Sequence, residues 1–100
     1  MSENILPSAE GQNNVRFSRC YRTCTVNIYL TQSITFGTSY KWIATVPADA
    51  RPANDLYAPV FDSAGNPLGG TLCIARDGNV GIKLSATATP FVLTSIAWVV

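Results

Sequence analysis

Histidine is absent from the 100 residues, which removes the side chain that most often carries protons near neutral pH and ligates metals. HExxH and Cys–His arrangements go with it, and neither a GxSxG elbow nor a phosphate-cradling Walker loop occurs. The acids are Glu3, Glu10, Asp49, Asp55, Asp62 and Asp77, and no two stand at the spacing of a catalytic couple. Asp62 and Asp77 open turn-rich stretches, where a carboxylate accepts backbone N–H bonds. The expectation is a protein that is not an enzyme and uses no cofactor and no metal.

Charge is also scarce. Asp, Glu, Lys and Arg make up 13% of the chain while 47% is hydrophobic, against a usual charged share of about a quarter. So small a domain would show water an apolar skin, and self-association relieves that. The net charge is +1 and the seven Lys and Arg are scattered, so no basic stripe follows a phosphate backbone and nucleic acid is not an expected partner. No apolar run approaches the roughly 18–20 residues that span a bilayer, so membrane insertion is not expected. The first fifteen residues are polar and unlike a signal peptide.

Cysteine is present in an odd number: Cys20, Cys24 and Cys73. On a strand, Cys20 and Cys24 point the same way about 13 Å apart, too far to bridge. The thiols read as small buried hydrophobes of a chain folded in a reducing cytosol, with a Cys24–Cys73 cross-strand bridge as the alternative.

What is present is strand pattern. Pro47, Pro52 and Pro59 punctuate PADARPANDLYAPVF; a proline lacks the backbone donor and fixes φ, so residues 47–52 form a corner, and Leu56–Phe61 an edge strand. Upstream, Val15 and Phe17 alternate with polar residues, and Cys24, Val26, Ile28 and Leu30 share one face of the cleanest strand. Ile34 and Phe36 lie in a loop as a possible plug. Trp42, Ala44 and Val46 alternate again. Asp62–Gly70 reads as a long hairpin loop, and Asp77-Gly78 as a tight reversal between Leu72–Ile74 and Val80–Leu84. The closing FVLTSIAWVV is apolar on both faces. Met1–Asn14 lacks periodicity and reads as a flexible lead, leaving 15–100 as one domain. No amphipathic helical window exists, so the fold class is all-β: an antiparallel sandwich or jelly-roll-like barrel of about seven to eight strands. The second apolar face of the last strand points to neighbouring copies about a symmetry axis, through Phe91, Leu93, Ile96 and Trp98.

Aromatic residues are the remaining binding equipment. Trp42 and Trp98 read as core or interface anchors, whereas Tyr21, Tyr29, Tyr40 and Tyr57 fall at strand ends or on polar faces, where tyrosine can stack on a sugar. Asp49 and Asp55 flank Arg51 in the corner, as an internal ion pair or a ligand-facing patch.

The run VPADARPANDLYAPVFDSAGNPLGGTLCIARDGNV and the closing SIAWVV resemble the C-terminal head domain of bacteriophage tail fibres and baseplate receptor-binding proteins. The matching pieces are Val46–Pro52 with Leu56–Pro59, Gly70–Gly78 with Val80, and Ser95–Trp98. Arg16–Leu30 is similar to that family's first hairpin, with Cys20–Thr23 where a glycine-containing turn is more usual. The resemblance implies a homotrimeric head at the tip of a virion tail fibre, assembled in the host cytoplasm and preceded by a shaft. The function expected is attachment of the virion to the bacterial surface, through surface glycan or another host receptor, with a purely structural trimerisation tip as the alternative. The ligand-facing residues expected are Tyr40, Asp49, Arg51, Asn54, Asp55, Tyr57 and Asn66.

Overall fold

A computed structural model describes residues 2–6, 13–31, 35–62, 64–84 and 92–100. Eight strands form within them: β1 (Ser2–Asn4), β2 (Asn14–Cys20), β3 (Thr23–Leu30), β4 (Lys41–Thr45), β5 (Leu56–Phe61), β6 (Pro67–Ile74), β7 (Asn79–Lys83) and β8 (Val92–Val99). No α-helix occurs among the described residues; the corner makes a single 3-10 turn at Ala48–Ala50.

The strands form one antiparallel sheet in the order β1-β2-β3-β8-β5-β6-β7-β4. Between β8 and β5 the ladder has one pair, Phe61 with Leu93, whereas β3 and β8 pair along their whole length. The sheet therefore curls into two four-stranded halves with their inner faces together, a sandwich-like body joined at one hinge pair. Alternation decides which residues go inside: Val15 and Phe17 from β2, Val26, Ile28 and Leu30 from β3, and Leu72, Ile74, Val80 and Ile82 from β6 and β7 are all buried. Phe36 is fully covered, the plug that the sequence allowed.

Local chemistry explains the turns. Tyr21 takes the left-handed conformation, φ 55°, at the tip of the β2–β3 hairpin, where glycine is the easier residue. In the β6–β7 hairpin the Gly78 N–H donates to Ala75 O at 2.8 Å, and Gly78 adopts φ 93° to complete the reversal. Asp77 Oδ1 accepts the Asn79 N–H at 3.1 Å, and Asp62 Oδ1 accepts those of Ala64 and Asn66, the turn duties expected of both acids.

Four features differ from the sequence reading. Part of the polar lead is a strand: β1 pairs with β2, and Asn4 Oδ1 accepts the N–H groups of Leu6 and Val15. Such side-chain anchoring leaves no hydrophobic period to see. Pro67–Gly70 belongs to β6 rather than to the hairpin loop, because its backbone pairing is independent of side-chain pattern. β5 lies inside the sheet order, not at an edge; Pro59 is tolerated because the β8 side of β5 is bonded at Phe61 alone.

The fourth is a correction. Trp98 is 7% exposed within a single copy. Its ring lies 6.4 Å from that of Phe17 and its Nε1–H donates to Ala50 O at 2.7 Å, so it cannot be an interface anchor. Ile96 shares its inward side and packs on the core, while Leu93 lies on the other face beside Tyr29. Phe91 falls outside the described residues. The four proposed interface residues thus do not make one surface.

Candidate functional site

The outer face of β5-β6-β7-β4 is built by a single cross-strand row. Tyr57 pairs with Cys73, Cys73 with Gly81, and Gly81 with Trp42. Strand spacing sets the backbones of Tyr57 and Trp42 about 14 Å apart, and the small residues between them leave room for rings to lie down. Trp42 does so over Gly81: a Cβ there would stand 2.5 Å from its ring. Tyr40 stacks on Trp42, centroids 5.4 Å apart and planes 23° from parallel. Trp42 is 51% exposed and Tyr57 60%, yet Cys73 between them is buried. The result is an aromatic platform facing water.

Its polar groups lie at opposite ends. The next row holds Pro59, Thr71 and Lys83, and Lys83 Nζ sits 4.9 Å from the Tyr40 ring centroid, a cation–π contact worth about 0.5–1 kcal/mol at an exposed site. Beyond the platform's other side, Thr45 Oγ1 donates to Asn79 Oδ1 at 3.4 Å and Asn79 Nδ2 to Asp77 Oδ2 at 3.2 Å. Burial pushes the Cys73 thiol above its ordinary value of 9.0, helped by the charges of Asp55 and Asp77. The Tyr40 hydroxyl is also raised, by burial first and then by Cys73 and Tyr57.

A raised thiol means that the folded state holds its proton longer than the unfolded chain does. Stability from this group is therefore complete below pH 9 and falls as pH rises toward the folded value. The urea midpoint is expected to fall between pH 8 and pH 10, and to fall less steeply in Cys73→Ala. Equal slopes would show that Cys73 does not titrate in this way.

The residues expected to face a ligand separate into three places. Tyr40 and Tyr57 belong to the platform. Arg51, Asn54 and Asp55 stay in the corner, where Asp55 Oδ1 accepts the Arg76 N–H at 2.8 Å and the Arg51 side chain covers Gly78. Asp49 turns away to Arg19, 3.1 Å distant and solvent-exposed, so the ion pair of the corner is not with Arg51; such pairs contribute about 0–1 kcal/mol. Asn66 lies in the β5–β6 loop at the far end of β5 from Tyr57. Of the corner acids, Asp55 thus serves a backbone donor and Asp49 the Arg19 guanidinium.

Sequence reasoning missed Trp42, Lys83 and Gly81. Alternation with Ala44 and Val46 makes Trp42 read as a core or interface anchor; a bulge between Trp42 and Ala44 breaks that period and lets Ile43 and Ala44 both turn in. Gly81, a glycine inside an alternating strand, was the available signal of close approach by a large group. Gly81→Val is expected to push the Trp42 ring off the sheet and abolish the near-UV dichroism of the Tyr40–Trp42 stack; an unchanged spectrum would refute the packing.

An open groove of about 890 Å3 lies between β3, β8 and β5, lined by Asn27, Tyr29, Phe61, Asp62, Leu93 and Ser95 among others. Two of its polar groups are engaged internally: Asp62 holds the turn and Thr94 Oγ1 donates to Pro59 O at 2.7 Å. Among the described residues no cluster of His, Cys, Asp or Glu could hold a metal ion, and no helix is long and apolar enough to cross a membrane. All three cysteines are free thiols, so the Cys24–Cys73 bridge does not form. No family model matches the chain, and no curated protein or solved structure matches it.

Proposed function

We propose that this protein is a non-enzymatic attachment head of a bacteriophage tail fibre, which holds the virion to surface glycan on a bacterium. The observation that carries the reading is the platform: Trp42 and Tyr57 stand half-exposed over the small floor of Cys73 and Gly81, with Tyr40 stacked on Trp42. Stacked aromatic faces suit the apolar C–H side of a pyranose ring, and their neighbours Thr71, Asn79 and Lys83 offer hydrogen bonds to its hydroxyls. The resemblance of the corner, the Asp77-Gly78 hairpin and SIAWVV to tail-fibre heads supports the placement on a virion tail, with assembly in the host cytoplasm.

So shallow a patch binds each sugar weakly, and attachment needs several copies acting together. The homotrimer is retained in the proposal on the outward residues of β8, Leu93 and Val99, with Tyr29 beside them on β3. Light scattering is expected to give the mass of three chains; a monomer at micromolar concentration would remove the trimer. Adsorption of fluorescent protein to candidate bacteria is expected to saturate and to be competed by their extracted polysaccharide. Protein that forms the trimer yet binds no cell would instead be the structural tip.

A further inference from the structure

We infer that the saccharide bound by the platform is acidic, carrying a carboxylate that meets Lys83 and Thr71. This rests on the glycan reading given above and adds the ligand's charge. Lys83 and Thr71 are register partners on neighbouring strands, so both side chains leave the sheet on the platform's face at one rim of the rings. The Lys83 ammonium is oriented by the Tyr40 ring, 4.9 Å away, which takes one direction and leaves N–H donors for a ligand. The salt bridge found among the described residues is Arg19–Asp49, between β2 and the 3-10 turn, so no acid among them is paired with Lys83.

The acids nearest the platform are at its opposite end and are engaged. Asp55 accepts the Arg76 N–H, and Asp77 accepts from the Asn79 backbone and side chain. A pyranose laid on the half-exposed rings of Trp42 and Tyr57 therefore meets a cation at one edge and satisfied acceptors at the other. A carboxylate on the ring fills the cationic edge with charge-assisted hydrogen bonds, and a neutral hydroxymethyl at the same position forfeits them.

The test is an array of bacterial uronic-acid polysaccharides, each paired with its carboxyl-reduced neutral product, bound by the full chain in low and high salt. Acidic members are expected to bind roughly tenfold or more tightly than their reduced partners, since a charged hydrogen bond contributes about 1.5–3 kcal/mol. High salt should shrink the gap. Lys83→Gln should close it by bringing the acidic members down to their reduced partners, and Trp42→Ala should lose both. Equal binding of each pair, unmoved by Lys83→Gln, would overturn the acidic assignment and leave the platform standing. Failure of the unmutated protein to bind any member would overturn the platform itself.

Discussion

Replacing Trp98 by alanine is expected to lower stability by about 4 kcal/mol, the upper part of the range for removing a large buried aromatic. The side chain fills the space against Phe17, and its indole N–H is the partner of Ala50 O. Alanine thus leaves a cavity and an unpaired carbonyl together, two penalties that act at the same place. In a 100-residue domain such a loss corresponds to a fall in Tm of roughly 20 °C. Trp98→Phe restores most of the volume but not the donor, and should cost about 1–2 kcal/mol. The discriminating feature is concentration. An interface tryptophan would give a Tm that rises with protein concentration and a variant that dissociates into stable monomers; a core tryptophan gives a deficit independent of concentration. Thermal melts over a hundredfold concentration range decide between them, and a shift of a few degrees or less in Trp98→Ala would contradict the packing described.

The same residue shows where sequence reading succeeds and where it stops. Val26, Ile28 and Leu30 announce their face because alternation is enforced by the pleat and by a single core. The proline corner and the Asp77-Gly78 reversal are similarly legible, since each depends on backbone chemistry local to a few residues. FVLTSIAWVV misleads because its count of apolar residues says nothing of what lies opposite them. On β8, Val92, Ile96 and Trp98 turn inward and are covered by the other half of the same sheet, while the outer side carries Leu93, Ser95, Ala97 and Val99, three of them modest in size. An excess of apolar residues on one strand therefore did not require a neighbouring chain. The corner misled differently: Asp49, Arg51 and Asp55 are close in sequence, yet the chain turns between them, and each finds its partner on another element. Asp49 reaches β2 and Asp55 the β6–β7 turn. Tyr40 and Tyr57 read as tyrosines at strand ends or on polar faces, but what sets Tyr57 in line with Trp42 and its stacked Tyr40 is a row across four strands, which no local pattern encodes.

That row gives the second large effect. In the double variant Trp42→Ala, Tyr57→Ala, adsorption to a host bacterium is expected to fall at least thirtyfold per site, because anchors at the centre of a binding patch commonly contribute about 2 kcal/mol or more. Stability should change little by comparison: both rings are half-exposed, the backbone pairs of β4 and β5 do not involve them, and surface replacements usually stay within about 0.5 kcal/mol. Trp42 departs somewhat from that rule, since its ring covers Gly81 and supports Tyr40, so Trp42→Phe is the gentler control and should retain part of the binding. With several sites per particle the loss compounds, and a thirtyfold defect in one site becomes a near-complete loss of attachment. The corner supplies the contrast: Arg51→Ala with Asn54→Ala alters two exposed side chains off the platform and is expected to leave adsorption within twofold. If the corner pair abolishes adsorption while the aromatic pair leaves it untouched, the binding surface lies at the corner and not on the rings.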